Sequence, residues 1–116
     1  MFFEYRQNNS GGDFDFDEKS GITHQVVIEA SSLEEANQKA ANIGIYFNGC
    51  DSGIDCSCCG DRWSEPWDET GTEAAQAAGK PVAEATGFQW MQDGKEIAVH
   101  YADGRICWFG VLREQP

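Results

Sequence analysis

The chain opens with apolar residues at alternate positions, the pattern of a β-strand that buries one face. Residues 2–6 predict the first strand, which the run Asn-Asn-Ser-Gly-Gly at 8–12 ends in a turn or open loop. Residues 13–17 alternate Asp and Phe strictly and predict an edge strand or a loop anchored by its Phe side chains. Residues 24–30 predict another strand, with Val27 on one face and its two apolar neighbours on the other.

A capping box formed by Ser32 and Glu35 marks the start of the clearest helix in the sequence. The apolar residues that follow recur at helical spacing, and Gly44 ends the segment. These apolar positions are Leu33, Ala36, Ala40 and Ile43. A strand followed by an amphipathic helix of about three turns predicts a helix that packs across a sheet.

The second half of the chain has an irregular middle and an ordered end. Residues 48–81 are rich in Gly, Asp, Ser, Cys and Trp, and they contain one predicted short helix at 73–78. Residues 95–101 and 105–112 are β-rich and are joined by Ala-Asp-Gly, which predicts a hairpin. The elements together predict an α+β fold: an antiparallel sheet of four to five strands, one main helix on a face and a long Cys/Trp-rich loop.

Size and composition predict a single domain spanning residues 1–116. The chain is 41% hydrophobic, which is too rich in apolar residues for a disordered protein. A chain of this length buries roughly two thirds of the surface that its unfolded form exposes. We therefore expect one core that forms without a partner, whereas the sequence leaves the oligomeric state open.

Twenty acidic residues against eight basic ones give a net charge of −12. Such a charge repels phosphate backbones and anionic membrane surfaces, so direct nucleic-acid or membrane binding is not expected. The negative charge either keeps the protein soluble or attracts a protein that normally binds nucleic acid. The carboxylates of Asp13, Asp15 and Asp17, if extended, form a row about 6.7 Å apart that mimics a phosphate backbone, although most such rows are solvated faces.

The sequence contains no apolar run of about 18 residues and no signal-peptide pattern, so a cytoplasmic location is expected. Cysteines crowd into one short stretch, which is a poor fit to a secreted disulfide framework. The candidate metal ligands are Cys50, Cys56, Cys58 and Cys59.

The run Cys56-x-x-Cys59-Gly60 has the pattern of a zinc knuckle, and structural zinc is the one cofactor that the sequence suggests. One knuckle supplies two of the four ligands that such a site needs, and the other two would come from Cys50, Cys58, Cys107 or one of the two histidines. The alternative is a set of reduced, buried cysteines. Redox chemistry is disfavoured because nearby aspartates, such as Asp55 and Asp61, raise the pKa of a thiol.

Two segments present groups that suit a nucleotide-like ligand. The loop after the first strand offers a guanidinium, amides and a hydroxyl, and the segment around residue 62 places Arg beside Trp. The candidate ligand-binding residues are Arg6, Asn8, Asn9, Ser10, Tyr46, Asn48, Arg62 and Trp63. The alternatives are a plain hairpin loop and a Trp63 side chain that covers the core. His24 and His100 fall in predicted strands without a partner at catalytic spacing, and no catalytic motif is present, so no enzymatic activity is expected.

Three separated blocks carry a resemblance to a known family. They are Arg-Gln-Asn-Asn-Ser-Gly-Gly at 6–12, Gly-Ile-Tyr-Phe-Asn-Gly-Cys at 44–50 and Asp-Cys-Ser-Cys-Cys-Gly-Asp-Arg-Trp at 55–63. On these blocks the chain resembles a family of small uncharacterised tailed-phage proteins, known only as a domain of unknown function. The resemblance implies an origin in a bacterial virus and a role in the cytoplasm of an infected host.

Small accessory phage proteins often act by binding host or defence components, and the absence of a catalytic motif favours the same reading. We therefore expect a non-enzymatic protein that counteracts a host defence system by binding. The first hypothesis is a sponge that sequesters a nucleotide-like signalling molecule. The alternatives are an acidic mimic of nucleic acid that inhibits a host protein, and a zinc-stapled protein–protein adaptor.

Overall fold

A computed structural model describes residues 1–8, 15–55, 60–66, 68–77, 80–84 and 95–110 of the chain. The described elements are β1 (Phe2–Arg6), β2 (Gln25–Glu29), α1 (Leu33–Ile43), β3 (Gln76–Ala77), β4 (Lys80–Pro81), a 3-10 turn (Val82–Glu84), β5 (Ile97–His100) and β6 (Ile106–Phe109). A four-stranded sheet, a two-stranded sheet and one α-helix in the described residues confirm the α+β fold class. In this part of the chain, no helix is long and apolar enough to cross a membrane.

The main sheet has four strands in the order β1-β2-β5-β6. The pairs β1/β2 and β5/β6 are antiparallel, whereas the central pair β2/β5 is parallel. The sheet is therefore mixed, and the prediction of an antiparallel sheet was wrong at its centre. The connection from β2 to β5 contains α1, β3 and β4, and such a long crossover lets β5 run in the same direction as β2. The predicted hairpin is confirmed, with Ile97 opposite Phe109.

One face of the sheet packs against α1. The side chains of Phe3 and Tyr5 in β1 and of Val26 and Ile28 in β2 are buried there, together with Ala36 and Ala40 of the helix. This confirms the strand alternation expected at residues 24–30. Because the helix is amphipathic, Ala36 and Ala40 lie against the sheet while its polar positions remain at the surface.

The opposite face has a second, smaller core. Val27, Ile97 and Val99 pack there with Ala77 of β3 and Val82 of the 3-10 turn. The short helix predicted at 73–78 is wrong where the structure describes it, because Gln76–Ala77 forms β3 and pairs with Lys80–Pro81. Six residues of helical propensity are too few to form a stable helix, and burial of Ala77 against the sheet favours the extended form.

The predicted helix ends are confirmed. The Ser32 hydroxyl accepts a hydrogen bond from the Glu35 backbone N–H at 3.2 Å, and the Glu35 carboxylate accepts from the Ser31 hydroxyl at 2.9 Å. At the other end Gly44 has φ 108°, and its N–H bonds back to the last turn. A residue without a Cβ adopts this left-handed conformation without strain, so the helix stops here.

Of the aspartate-rich segment predicted at 13–17, the described part is 15–17. Asp17 forms an isolated antiparallel bridge with Ile22, and the turn between them is held by the Asp17 carboxylate, which accepts from the N–H groups of Lys19 and Ser20. The Phe16 ring lies 5.8 Å from the ring of Trp108 in β6. This contact matches the predicted loop anchored by a Phe side chain.

Within the predicted irregular segment 48–81, residues 56–59, 67 and 78–79 lie outside the described residues. Trp63 and Arg62 pair with the residues that follow β1, and Asp55 contacts the Arg62 backbone. These contacts bring the polar residues of the middle of the chain to one end of the sheet.

Candidate functional site

Three separated segments meet at the end of the sheet where β1 ends and β2 begins. Gln7 forms an isolated antiparallel bridge with Trp63, and the Asn8 N–H donates to the Arg62 carbonyl at 2.6 Å. On the other side, the Gln7 N–H donates to the His24 carbonyl at 2.9 Å. The backbone after β1 is therefore held from both sides, by the start of β2 and by residues 62–63.

Gln7 lies at the centre of this junction, and its side chain is almost completely buried. The amide nitrogen donates to the backbone carbonyls of Asp15 (3.0 Å) and Thr23 (2.9 Å). The amide oxygen accepts from Arg62 Nη1 at 3.0 Å and from the Asp15 N–H. One amide thus makes four hydrogen bonds to three residues and satisfies the polar groups that its burial removes from water.

The Arg62 guanidinium lies against the same amide. Its Nε is 3.4 Å from Asp15 Oδ2, in a pair in which the arginine side chain is 11% exposed and the aspartate side chain is 59% exposed. The Arg62 backbone N–H donates to Asp55 Oδ2 at 2.8 Å. The Arg62 guanidinium is therefore contacted by the carboxylate of Asp15 and by the amide of Gln7, the residue that follows β1.

Asp55 connects the junction to the segment after α1. Its second carboxylate oxygen accepts from the Tyr46 hydroxyl at 2.7 Å. Burial and then the Asp55 carboxylate raise the pKa of Tyr46, although Arg62 opposes the shift, so the phenol stays protonated at neutral pH. Gly49 packs so closely on Asp55 that a Cβ at this position would overlap the carboxylate.

Of the four predicted metal ligands, Cys50 alone lies in the described residues. It is half-buried, and its N–H donates to Asp61 Oδ1 at 2.9 Å. No group of three or more candidate metal-binding side chains is found within the described ranges. Because Cys56, Cys58 and Cys59 lie outside them, the zinc site stays a prediction.

The predicted ligand-binding residues fall into three groups. Asn8, Tyr46 and Arg62 belong to the junction, whereas Asn9 and Ser10 lie outside the described residues. Arg6 is exposed at the end of β1, and Asn48 is an exposed residue with φ 58° in the segment after α1. Trp63 is 2% exposed and belongs to the core beside α1. Its burial favours the alternative reading, in which Trp63 covers the core, over stacking on a ligand.

Sequence reasoning missed Gln7, Asp15 and Asp55 as members of the junction. A signal for Gln7 was available, because the alternation of β1 places residue 7 on the same face as the buried Phe3 and Tyr5. A polar residue at a predicted core position indicates a buried hydrogen-bond network. Nothing local marks Asp15 or Asp55, since the contacts of both cross irregular segments with no helical or strand spacing, and Asp15 also meets the distant Arg62.

Two histidines lie in or beside the central strands, as predicted. His24 Nδ1 is 3.7 Å from Glu96 Oε2 in a buried pair, and burial, followed by the nearby Arg6 charge, lowers the pKa of His24 to about 4. His100 Nε2 lies 2.9 Å from the Gly21 carbonyl, and burial lowers the pKa of its imidazole as well. Both side chains are therefore neutral at pH 7.

The fold and the junction define a class of small α+β protein in which three separate polar segments are held together at one end of a mixed sheet. The chain belongs to the family described as a domain of unknown function (DUF7296), whose model matches residues 1–116. This confirms the resemblance at the level of an uncharacterised family. A search of the curated proteins and a search of the solved structures each found no match.

Proposed function

We propose that this protein is a non-enzymatic phage accessory protein that counteracts a host system by binding a positively charged host protein in the cytoplasm of the infected cell. The observation that carries the proposal is the convergence of three sequence blocks in one acidic junction. Gln7 lies 55 residues before Arg62 in the chain, Tyr46 comes from the block just before that of Arg62, and Asp55 and Asp15 connect them. The phage origin and the host role rest on the resemblance of the same blocks to tailed-phage proteins.

The described part of the junction carries net negative charge. Asp15, Asp55 and Asp61, together with Asp51 next to Cys50, contribute four carboxylates against the guanidinium groups of Arg62 and of Arg6, which precedes Gln7, and this leaves two negative charges. Asp51 is exposed and Asp15 mostly so, and both therefore face an approaching partner. A surface of this sign attracts basic proteins and accelerates their association.

The same geometry argues against a phosphate as the preferred ligand of Arg62. The guanidinium already contacts Gln7 Oε1 at 3.0 Å and Asp15 Oδ2 at 3.4 Å. A phosphate would have to displace the carboxylate and would then lie among the remaining aspartates, at a cost in like-charge repulsion. The junction therefore supports the acidic inhibitor more strongly than the nucleotide sponge.

A charge reversal with a matched control tests the proposal. Asp51→Lys places a cation in the junction, whereas Glu69→Lys makes the same change beside Thr72, which pairs with the other end of β1. The wild-type protein is expected to capture a basic protein from host lysate, with an affinity that falls as salt rises. Asp51→Lys is expected to weaken that complex about tenfold, and Glu69→Lys to change it little.

Two outcomes contradict the proposal. One is a lysate from which no basic protein is captured at low salt. The other is equal weakening by Asp51→Lys and Glu69→Lys, since that would mean that net charge matters and the junction does not. Circular dichroism of both variants confirms that each is folded before binding is compared.

The nucleotide sponge is the second candidate, and one observation favours it. Asn8, Tyr46 and Arg62, all predicted to bind a ligand, lie together in the junction. Calorimetry with cyclic nucleotides and ADP-ribose-type compounds tests this candidate directly. A flat response across the panel eliminates it, and a micromolar response that Arg62→Gln abolishes favours it over the protein partner.

A further inference from the structure

The two edges of the main sheet differ in how they are protected. At the β1 edge, Phe2 exchanges two hydrogen bonds with Thr72, at 2.7 and 2.9 Å, and Asn8 donates to the Arg62 carbonyl. Between these contacts the outer positions carry the charged side chains of Glu4 and Arg6. Covering segments and charge are the usual means by which proteins prevent another strand from adding to an edge.

The β6 edge has a different backbone pattern. The Tyr101 N–H donates to the Arg105 carbonyl at 2.9 Å, and with the observed register this places Cys107 and Phe109 among the residues that hydrogen-bond to β5. The backbone groups of Ile106 and Trp108 therefore point away from the sheet. No strand in the described part of the chain pairs with β6 on this side.

Apolar side chains accompany this backbone edge. Ile106 is 37% exposed, and Phe16, whose ring contacts Trp108 at 5.8 Å, is 45% exposed. Trp108 itself is half-buried and shares a face of β6 with Ile106. Unlike the β1 edge, residues 106–110 contain no charged side chain. The edge thus presents both the hydrogen-bonding groups and the apolar surface that an added strand requires.

We propose that a second copy of this chain adds to β6 in antiparallel orientation, so that two four-stranded sheets join into one continuous sheet. In the pairing that we favour, Ile106 faces the partner's Trp108, and Cys107 faces the partner's Cys107 on the two-fold axis. The outward backbone groups of Ile106 and Trp108 then bond to those of the partner. The pairing also places a β-branched residue beside an aromatic one twice, which is a favourable cross-strand combination.

The strand itself points to a second copy as the occupant. Each chain carries a net charge of −12, and residues 106–110 let two copies pair without a charged side chain in the paired strands. A strand that pairs with itself also satisfies the symmetry of a two-fold dimer, in which both copies use the same surface.

Measurements of molecular mass with matched variants test the pairing. Analytical ultracentrifugation under reducing conditions is expected to show a weak dimer, with a dissociation constant of about 100 µM, since the interface is small. Ile106→Lys puts a charge on the edge and is expected to raise this constant at least about tenfold. Ile54→Lys is the control, because Ile54 is also exposed but lies in the segment after α1. A monomer at all concentrations up to about 500 µM, or equal effects of the two variants, overturns the proposal.

Salt separates this dimer from the complex with a basic host protein. Screening lowers the repulsion between two acidic copies, so raising the salt concentration from 0.1 M to about 0.5 M is expected to strengthen the dimer. The same change is expected to weaken the complex with a cationic partner. Self-association that salt weakens contradicts the pairing, and loss of the host complex alone leaves the pairing intact.

Oxidation of Cys107 tests the register. With diamide as the oxidant, two Cys107 thiols that face each other across a non-hydrogen-bonded pair are close enough to form a disulfide. We expect a covalent dimer that Cys107→Ser removes and that Cys50→Ser leaves in place. A covalent dimer that persists in Cys107→Ser, or a non-covalent dimer that gives no Cys107 disulfide, overturns the proposed pairing.

Discussion

At the scale of single residues, Gln7 shows how one buried amide fixes a junction between distant segments. It contacts Arg62, Thr23 and Asp15, which belong to three different parts of the chain. A buried amide stabilises the fold when all its hydrogen-bond partners are present. Removing the amide would leave the buried donors and acceptors that it contacts without a hydrogen bond. The position of Arg62 relative to β1 therefore depends on Gln7.

The variant Gln7→Leu keeps the size of the side chain but leaves several buried polar groups without a partner. We expect it to lower the free energy of unfolding by about 2–4 kcal/mol. Urea denaturation followed by fluorescence measures the effect. Gln38→Leu, on the exposed surface of α1, is the matched control and is expected to change stability by less than about 0.5 kcal/mol. Equal midpoints for the two variants would contradict a structural role for the junction.

The His24 imidazole makes stability dependent on pH. Its ordinary pKa of 6.5 applies to the unfolded chain, whereas burial and then the nearby Arg6 charge lower the pKa to about 4 in the fold. The unfolded state therefore binds a proton that the folded state does not, and stability falls as pH drops from 6.5 toward 4. Between pH 7 and pH 5, we expect a loss of about 2 kcal/mol from this group.

Denaturation of His24→Asn across the same pH range checks this expectation. The variant lacks the titrating group, so its stability is expected to change less between pH 7 and pH 5 than that of the wild type. The two stabilities are compared at each pH, because the substitution also alters packing. Parallel pH profiles would assign the loss to other groups.

At the scale of elements, α1 depends on its caps. Ser32→Ala removes the hydroxyl that accepts the Glu35 N–H, and we expect it to lower stability by about 1 kcal/mol. Ser64→Ala, at an exposed serine outside the helix, controls for the loss of a hydroxyl. Thermal unfolding followed by circular dichroism compares the two. If the two variants melted at the same temperature, the cap would not contribute measurably.

The elements also show which features of the fold local sequence patterns do not predict. Strong local signals marked β1, β2, α1 and the β5–β6 hairpin, and the structure places each of them close to its predicted range. The direction of β5 relative to β2 has no local signal, because it depends on the path of the chain through α1, β3 and β4. Residues 76–77, within the short helix expected at 73–78, form β3 for a similar reason: packing on the sheet outweighs a weak local preference for helix.

At the scale of the whole molecule, the zinc hypothesis states that one bound ion stabilises the Cys/Trp-rich segment. If Cys50, Cys56, Cys58 and Cys59 bind one ion, protein purified without added zinc is expected to contain about one equivalent of metal. Chelation is then expected to lower the melting temperature. Metal analysis of Cys50→Ser should show a loss of metal, whereas Cys107→Ser should retain it. Less than about half an equivalent in the wild type would contradict the hypothesis.

The sequence by itself determined the charge of −12, the fold class, the helix with its caps and the alternating faces of β1 and β2, because these follow from composition and from contacts between near neighbours. Tertiary structure decided the parallel pair at the centre of the sheet, the burial of Trp63 and the junction of Gln7, Arg62 and Asp55. Gln7 and Arg62 are 55 residues apart, and a local pattern carries no information on which distant groups a folded chain brings together. The order of the strands also decided that β1 and β6 form the two edges of the main sheet, and that among the described residues Thr72 and Trp63 bridge to the β1 end of that sheet.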